Sequence, residues 1–308
     1  MCRALAYLGR PVLLDSLLYG PDSALVTQSY MPRMLHLLNL AGFGLKAWDA
    51  ASHDPARPYT YRSTALPIYD RNLKALAEKI RPECLLAHVR GVPYDTEAVI
   101  SEQNVHPFQF PGCRIALAHN GDLDRMRDMK PLLFEHVRPE FVKMVSGTTD
   151  SEWIYAVFVS QFEDPGRDLT AEEIVRAVDK TIGVLRGVRS RLGIDLYSPA
   201  NLFITTGTQL AAVRYCFDFG CYRTDNAARV VTDAAFRYYS LWYTSGREFG
   251  YHDGEWKMTG GADVADSIMI ASEPLTRDTT TWLEVPEYSV IYADTRSGKP
   301  SVEVHYLD

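Results

Sequence analysis

The order of element types constrains the fold of this chain more than any single motif. Along its 308 residues, short apolar strands come first, helices then run consecutively, and short strands return from about residue 200. The early strands are expected at Cys2–Leu8, Leu45–Trp48, the run Cys84–Arg90 with its polar end, and Ile115–His119, which stops at Asn120-Gly121. One helix is expected at Asn72–Ile80, where Leu73, Leu76, Ala77 and Ile80 share a face. Ser52–Tyr61, with Pro55 and Pro58, reads as a loop. The main helical block runs from Asp122 to Val145, broken near Pro131 and Pro139. Capping-box spacings then open two more helices, at Thr149/Glu152 to about Phe162 and at Thr170/Glu173 to about Leu192. The later strands are expected at Leu202–Thr206, Leu210–Tyr215, Tyr238–Tyr243, Trp256–Thr259, Ser267–Ser272, Ser289–Ala293 and Val302–Tyr306. Helices in one block do not fit alternating βαβ units. They fit an α+β fold of two antiparallel sheets packed together with helices outside. Both chain ends then supply strands to one core, so a single domain over 2–308 is expected. A loop-rich insertion, heavy in tyrosine and arginine, is expected at about 215–251.

Charge and cysteine usage exclude several function classes. The net charge is −7, from 32 basic and 39 acidic residues, which argues against nucleic acid or an acidic membrane as a non-specific partner. No apolar run is long enough for a membrane span, which needs about 18 residues or more. The N-terminal apolar runs are cut by Gly9-Arg10-Pro11 and by Asp15, unlike a signal peptide. The five cysteines (Cys2, Cys84, Cys113, Cys216 and Cys221) are odd in number and include no C-x-x-C pair. A disulfide framework or zinc site is not expected, nor is any cofactor, and the cytoplasm is the simplest compartment.

Cys2 follows the initiator methionine directly. Removal of Met1 would leave a thiol and a free α-amine on one residue. Unperturbed, these titrate near pH ~8.5 and ~8, so the amine can take the thiol proton with little mismatch. Arg3–Leu8 would then be a buried strand that holds the terminus still. The plainer reading is a cysteine at a frayed chain end. Other chemically useful residues fall at strand ends and helix starts. Arg90 could hold a carboxylate bidentately, or be a solvated strand-end charge. Asn120 and Gly121 could stabilise an oxyanion, typically ~3–4 kcal/mol per well-placed donor, or form a hairpin turn. Asp150 could hold an ammonium group, or favour a helix N-terminus. A substrate with a carboxylate and an ammonium at one end and an amide at the other is a γ-glutamyl compound. A papain-like pairing of Cys84 or Cys113 with a histidine is the weaker alternative: Cys84 lies in an apolar strand and Cys113 lacks a local motif.

The ordered set Met1-Cys2-Arg3, Asn39 with Gly42-Phe43-Gly44, His88-Val89-Arg90, Asn104-Val105-His106-Pro107-Phe108, His119-Asn120-Gly121 and Thr149-Asp150-Ser151-Glu152 resembles the class II glutamine amidotransferases, which are N-terminal-nucleophile hydrolases. Ala271-Ser272-Glu273-Pro274-Leu275, with Trp282 and Val285-Pro286, resembles the C-terminal part of stand-alone members. These include ergothioneine-pathway γ-glutamyl hydrolases and the amidotransferase-like subunit of fungal glutathione breakdown. The resemblance implies a four-layer αββα sandwich. It implies Cys2 as nucleophile, Asn120 and Gly121 as the oxyanion hole, Arg90 for the substrate carboxylate and Asp150 for its amino group. The implied reaction is hydrolysis of glutamine or another γ-glutamyl amide through a Cys2 thioester. A separate synthase or a peptidase-like partner would be expected where ammonia or a peptide must be passed on. The chain departs from synthase-linked members after the arginine, where Gly91-Val92-Pro93-Tyr94 replaces a threonine and histidine, and at Ala41, where many carry aspartate. Those departures motivate a second reading, a binding or scaffold subunit that keeps the fold without turnover.

Overall fold

The structure, a computed structural model, describes residues 2–34, 38–92, 98–218, 240–261, 264–296 and 301–307. The strands of the first half are β1 (Arg3–Leu8), β2 (Phe43–Trp48), β3 (Tyr59–Ser63), β4 (Cys84–Val89) and β5 (Ala116–Gly121). Those of the second half are β6 (Ser198–Thr205), β7 (Gln209–Arg214), β8 (Cys216–Phe217), β9 (Trp242–Gly246), β10 (Glu248–His252), β11 (Glu255–Thr259), β12 (Ser267–Ala271), β13 (Leu283–Glu284), β14 (Ser289–Asp294) and β15 (Ser301–Tyr306). The helices are α1 (Leu14–Leu18), α2 (Leu25–Gln28), α3 (Arg71–Ala77), α4 (Met126–Leu133), α5 (Pro139–Val142), α6 (Asp150–Val159) and α7 (Ala171–Arg191).

Two antiparallel sheets carry the fold. One has the order β13-β9-β12-β1-β4-β2-β3 and the other β15-β14-β7-β6-β5, with β8 beside β6; β10 and β11 form a separate hairpin. The period-two alternation of strand side chains sorts the apolar residues into three cores. In β1, Leu5 and Tyr7 face outward and pack with Leu14, Leu17, Leu18 and Leu73 of α1 and α3. Ala4, Ala6 and Leu8 face inward and meet Ala116, Ala118, Phe203 and Ala212 of the second sheet. Alanine recurs on both sides of this inner layer, which lets the sheets approach closely. The outer face of the second sheet is covered by α4, α6 and α7. The result is the αββα sandwich. Helix α7 has the complete Thr170/Glu173 capping box and buries Ile174, Val178, Ile182 and Leu185, as its spacing predicts.

Three local expectations are corrected, and one, the helix break near Pro131, is met to within two residues. Tyr59–Ser63 is an edge strand, because Pro55 and Pro58 precede it and Tyr59 and Tyr61 pack on the outer core. β5 runs on through Asn120 and Gly121, which pair with Asn201 and Ala200, so this Asn-Gly is a strand end and not a hairpin turn. Pro131 lies inside α4, and the helix ends two residues later. At α6, Thr149 caps the Glu152 amide as expected, but the Glu152 carboxylate reaches further back, to the amides of Ser146 (3.0 Å) and Gly147 (2.6 Å). Of the expected insertion at about 215–251, residues 219–239 lie outside the described residues, as does the start of the strand expected at Tyr238–Tyr243. Trp242–Gly246, at the far end of that stretch, is a member of the first sheet.

Candidate active site

Cys2 is buried one residue ahead of β1, in the middle of the first sheet. The pairing of Arg3 with Val89 sets it against the residues that follow β4. Its Sγ lies 3.5 Å from the Gly91 amide nitrogen and 3.6 Å from the Gly91 carbonyl oxygen. The backbone of Cys2 is held as well. Arg3 Nη1 donates to the Cys2 carbonyl at 3.0 Å, and Arg3 Nε lies 3.5 Å from Glu273. The Glu273 carboxylate also accepts from the Ser23 hydroxyl and from the amides of Arg33 and Met34. A buried charge pair with this many hydrogen bonds resists rearrangement, because removing either partner leaves a charge stranded in the core.

Arg90 directly follows β4 and is buried. Its backbone is fixed by bonds to Ala41 and Gly42, and its Nη1 donates to the Val99 carbonyl at 2.9 Å. Burial pushes its guanidinium down, and the charges of Cys2 and Asp150 pull it back up, which puts it within electrostatic reach of both. Asn104 supports the same loop. It donates to the Val99 carbonyl at 3.0 Å and clamps Thr148, through the Thr148 amide (2.8 Å) and hydroxyl (2.9 Å). The loop that carries Asn104 to Phe108 lies directly on Gly44, where a Cβ would run into the His106 carbonyl. This contact explains the second glycine of Gly42-Phe43-Gly44.

Asn120 is the penultimate residue of β5 in the other sheet, buried, with Nδ2 3.1 Å from Ser272 Oγ. The same Ser272 oxygen accepts the amide of Ala4 at 3.0 Å, so one hydroxyl ties the Cys2 strand to the Asn120 strand. Gly121 sits against the Pro199 carbonyl and the His119 ring, with no room for a side chain. Asp150, in the first turn of α6, is reached from this strand: its Oδ2 accepts the Leu123 amide at 2.8 Å and lies 3.8 Å from His119 Nδ1. Cys2, Arg90, Asn120, Gly121 and Asp150 thus converge from four segments on one end of the sandwich.

The neighbouring histidines are structural in character. His88 Nε2 lies 3.2 Å from the His119 carbonyl and joins the two sheets; His119 Nδ1 lies 2.9 Å from Ser151 Oγ. Burial pushes His88 down to about 3, and pushes His106 and His119 down too, so all are neutral near pH 7. Burial also drives the thiol of Cys84 up to about 12 and raises that of Cys113. A papain-like pairing at either finds no support in such inert thiols. Cys2, Cys84 and Cys113 are free thiols.

Three residues near the site were not assigned a role by sequence reasoning. Ser272 and Glu273 lay in a motif noticed only by resemblance, and their contacts span some 150 to 270 positions. Asp122 directly follows Gly121, and burial, then Asp150 and Asp124, push its carboxyl up to about 6. Its adjacency to Asn120-Gly121 was the available signal.

Comparison with known proteins identifies the family and the fold. The family model for glutamine amidotransferases of class II matches residues 68–230, a stretch that contains Arg90, Asn120, Gly121 and Asp150. The chain is 28% identical to the probable glutamine amidotransferase DUG3 of Saccharomyces cerevisiae, over 94% of this chain and 81% of that protein. It is 34% identical over 131 residues to the gamma-glutamyl-hercynylcysteine sulfoxide hydrolase of Mycobacterium tuberculosis, covering 41% of this chain and 51% of that one. Among solved structures, a glutamine aminotransferase class-II domain protein from Silicibacter pomeroyi shares the fold over the full length of both chains, with a TM-score of 0.60 at 19% identity. The glutamine phosphoribosylpyrophosphate amidotransferase of B. subtilis shares it over 98% of this chain and 49% of that one, with a TM-score of 0.52 at 16% identity. By the family match, which spans more than half of its length, the chain belongs to the class II glutamine amidotransferases.

Proposed function

We propose that the chain hydrolyses a γ-glutamyl amide through a thioester on Cys2. The observation that carries this reading is the convergence of Cys2 with Arg90, Asn120, Gly121 and Asp150 at one end of the sandwich. After removal of Met1, the Cys2 amine takes the thiol proton and the thiolate attacks the γ-carbonyl. Asn120 and the Gly121 amide stabilise the oxyanion, while Arg90 and Asp150 hold the α-carboxylate and α-ammonium. The protonated amine then gives its proton to the leaving nitrogen, which departs as ammonia or a larger amine. Water attacks the thioester, with its proton taken by the Cys2 amine, and glutamate leaves with the thiol restored.

Three finer points belong to the same reading. The cytoplasm suits a chain in which Cys2, Cys84 and Cys113 are free thiols and whose described helices include none long and apolar enough to cross a membrane. The substrate is a small γ-glutamyl compound. A separate synthase or peptidase-like protein is the partner that would use or supply it.

The test is incubation of the purified chain, with its N-terminus verified as Cys2, with glutamine, glutathione and other γ-glutamyl amides. Glutamate should be released from at least one, and a diazoketone analogue of glutamine should leave one adduct on Cys2 that is absent from Cys2→Ala. Ligand binding without release or adduct would instead establish the scaffold reading.

A further inference from the structure

We propose that Ser272 is a positioning residue of this site: its hydroxyl selects the orientation of the Asn120 carboxamide that turns the amide nitrogen toward a carbonyl held at Cys2. The proposal rests on Cys2 being the nucleophile, as above.

Ser272 directly follows β12, the strand beside β1. Its backbone is clamped on both sides: its amide donates to the Ala4 carbonyl at 3.0 Å, and its carbonyl accepts the Ser240 hydroxyl at 2.9 Å. The side chain is therefore held between the sheets. Its Oγ accepts from Ala4 N and from Asn120 Nδ2, and neither contact uses the hydroxyl hydrogen. Both side chains are buried, each residue 3% exposed. At the other end of the carboxamide, the buried Asn120 Oδ1 has no hydrogen-bond partner.

An unspent donor next to an orphaned acceptor is an unfavourable combination in a buried site. A half-turn of the Asn120 carboxamide about its last side-chain bond removes both faults. Ser272 then accepts from Ala4 and donates to Asn120 Oδ1. The Asn120 NH2 takes over the direction now held by Oδ1, which no described donor reaches. An oxyanion needs a donor whose partner appears only during reaction, and this arrangement provides one. A hydroxyl can make the selection because it donates and accepts at once; alanine can do neither. Ser272 touches neither Cys2 nor the reacting carbonyl, so it acts through Asn120.

The experiment is a kinetic cycle of Ser272→Ala, Ser272→Thr, Asn120→Ala and the Ser272→Ala/Asn120→Ala double variant, with glutamine and glutathione as probes and thermal melts alongside. Ser272→Ala should lower kcat by on the order of 10- to 100-fold, less than the roughly 100- to 1000-fold typical of losing an oxyanion donor outright. KM should stay nearly constant, Ser272→Thr should recover most of the rate, and Ser272→Ala should cost nothing further once Asn120 is alanine. An unchanged kcat, or an equal loss in the Asn120→Ala background, would overturn the proposal. A second readout needs no Ser272 variant to fold. The Asn120 side-chain amide protons of the wild-type chain, assigned from Asn120→Asp, should shift on reaction with the diazoketone analogue. An adduct at Cys2 with unmoved Asn120 resonances refutes the role of Ser272 and leaves the nucleophile intact. Failure to form any adduct refutes the reading of Cys2 itself, and the proposal with it.

Discussion

Arg90 and Asp150 present opposite charges to one site, and each is anchored by a bond that fixes its direction: Arg90 to Val99, and Asp150 to Leu123. On the proposed reading they grip the two charged groups of a glutamyl head. A guanidinium can hold a carboxylate through two parallel bonds, whereas an ammonium acts as a point charge. Arg90→Lys should therefore raise KM for glutamine by about 10- to 100-fold, or about 1.4–2.7 kcal/mol, with a smaller effect on kcat. An unchanged KM would remove Arg90 from the substrate contacts. Asp122 adds a pH dependence. Burial first, and then the charges of Asp150 and Asp124, push its carboxyl up to about 6. Above that pH it is ionised and adds a second negative charge beside Asp150, which favours a bound ammonium. Below it the charge is lost. KM should rise as pH falls through about 6, by a few-fold only, because the exposed side of Asp122 is screened by water. In Asp122→Asn that inflection should vanish from a KM profile taken between about pH 5 and about pH 8.

At the scale of elements, the site depends on strands and loops that touch without intervening side chains. One such contact is β2 against the Asn104–Phe108 loop, at Gly44. Gly44→Ala would place a methyl group against the backbone of His106, which cannot swing aside as a long side chain could. The expected cost is about 1–3 kcal/mol of folding stability, with a lowered midpoint in urea denaturation. An unaltered midpoint would show that the loop can lift off the strand at little cost. The same contrast between local and distant contacts explains what could be read from sequence. Helix α7 was legible because its evidence is local: a capping box at Thr170 and Glu173 and an apolar face repeating at helical spacing. β1, β4 and β5 were legible as apolar runs, with Arg90 and Asn120 at the ends of two of them, and Asp150 stood out at a helix start. β3 was missed because its two tyrosines pack on a core whose other members come from distant strands. Ser272 was invisible as a functional residue because a serine at a strand end has no local signature. Its meaning lies in Ala4 and Asn120, which only folding brings to it. Glu152 shows the intermediate case, where a local capping rule found the helix start but the carboxylate turned to the amides of Ser146 and Gly147, just ahead of the cap.

For the whole molecule, the junction between the two sheets should make stability sensitive to acid. His88, on the first sheet, reaches the His119 carbonyl on the second, and His106 packs edge-on against His88 with ring centroids 4.1 Å apart. All three rings are buried, and burial is the first cause holding each below the ordinary histidine range, His88 at about 3. The unfolded chain binds protons at these rings below about pH 6.5, while the folded chain does not. Unfolding therefore takes up protons in this window, and stability falls as pH drops from about 6.5. At about 1.4 kcal/mol per unit, His88 alone can cost on the order of 4–5 kcal/mol by about pH 3. Asp122 acts in the opposite sense, since its raised carboxyl relieves an unfavourable charge as pH falls through about 6 toward 4. It is one partly exposed group against three buried rings, so the net slope should keep the sign set by the histidines. Urea midpoints measured between about pH 7 and about pH 5 should decline steadily, and His106→Phe, which removes one titrating ring next to Phe108, should flatten the decline. A midpoint that stays level over this range would mean that the rings gain protons without unfolding. Because the strands joined through His88 and His119 also carry Arg90 and Asn120, acid loosening of this junction would disturb the candidate site early, and loss of γ-glutamyl turnover should begin no later than loss of fold.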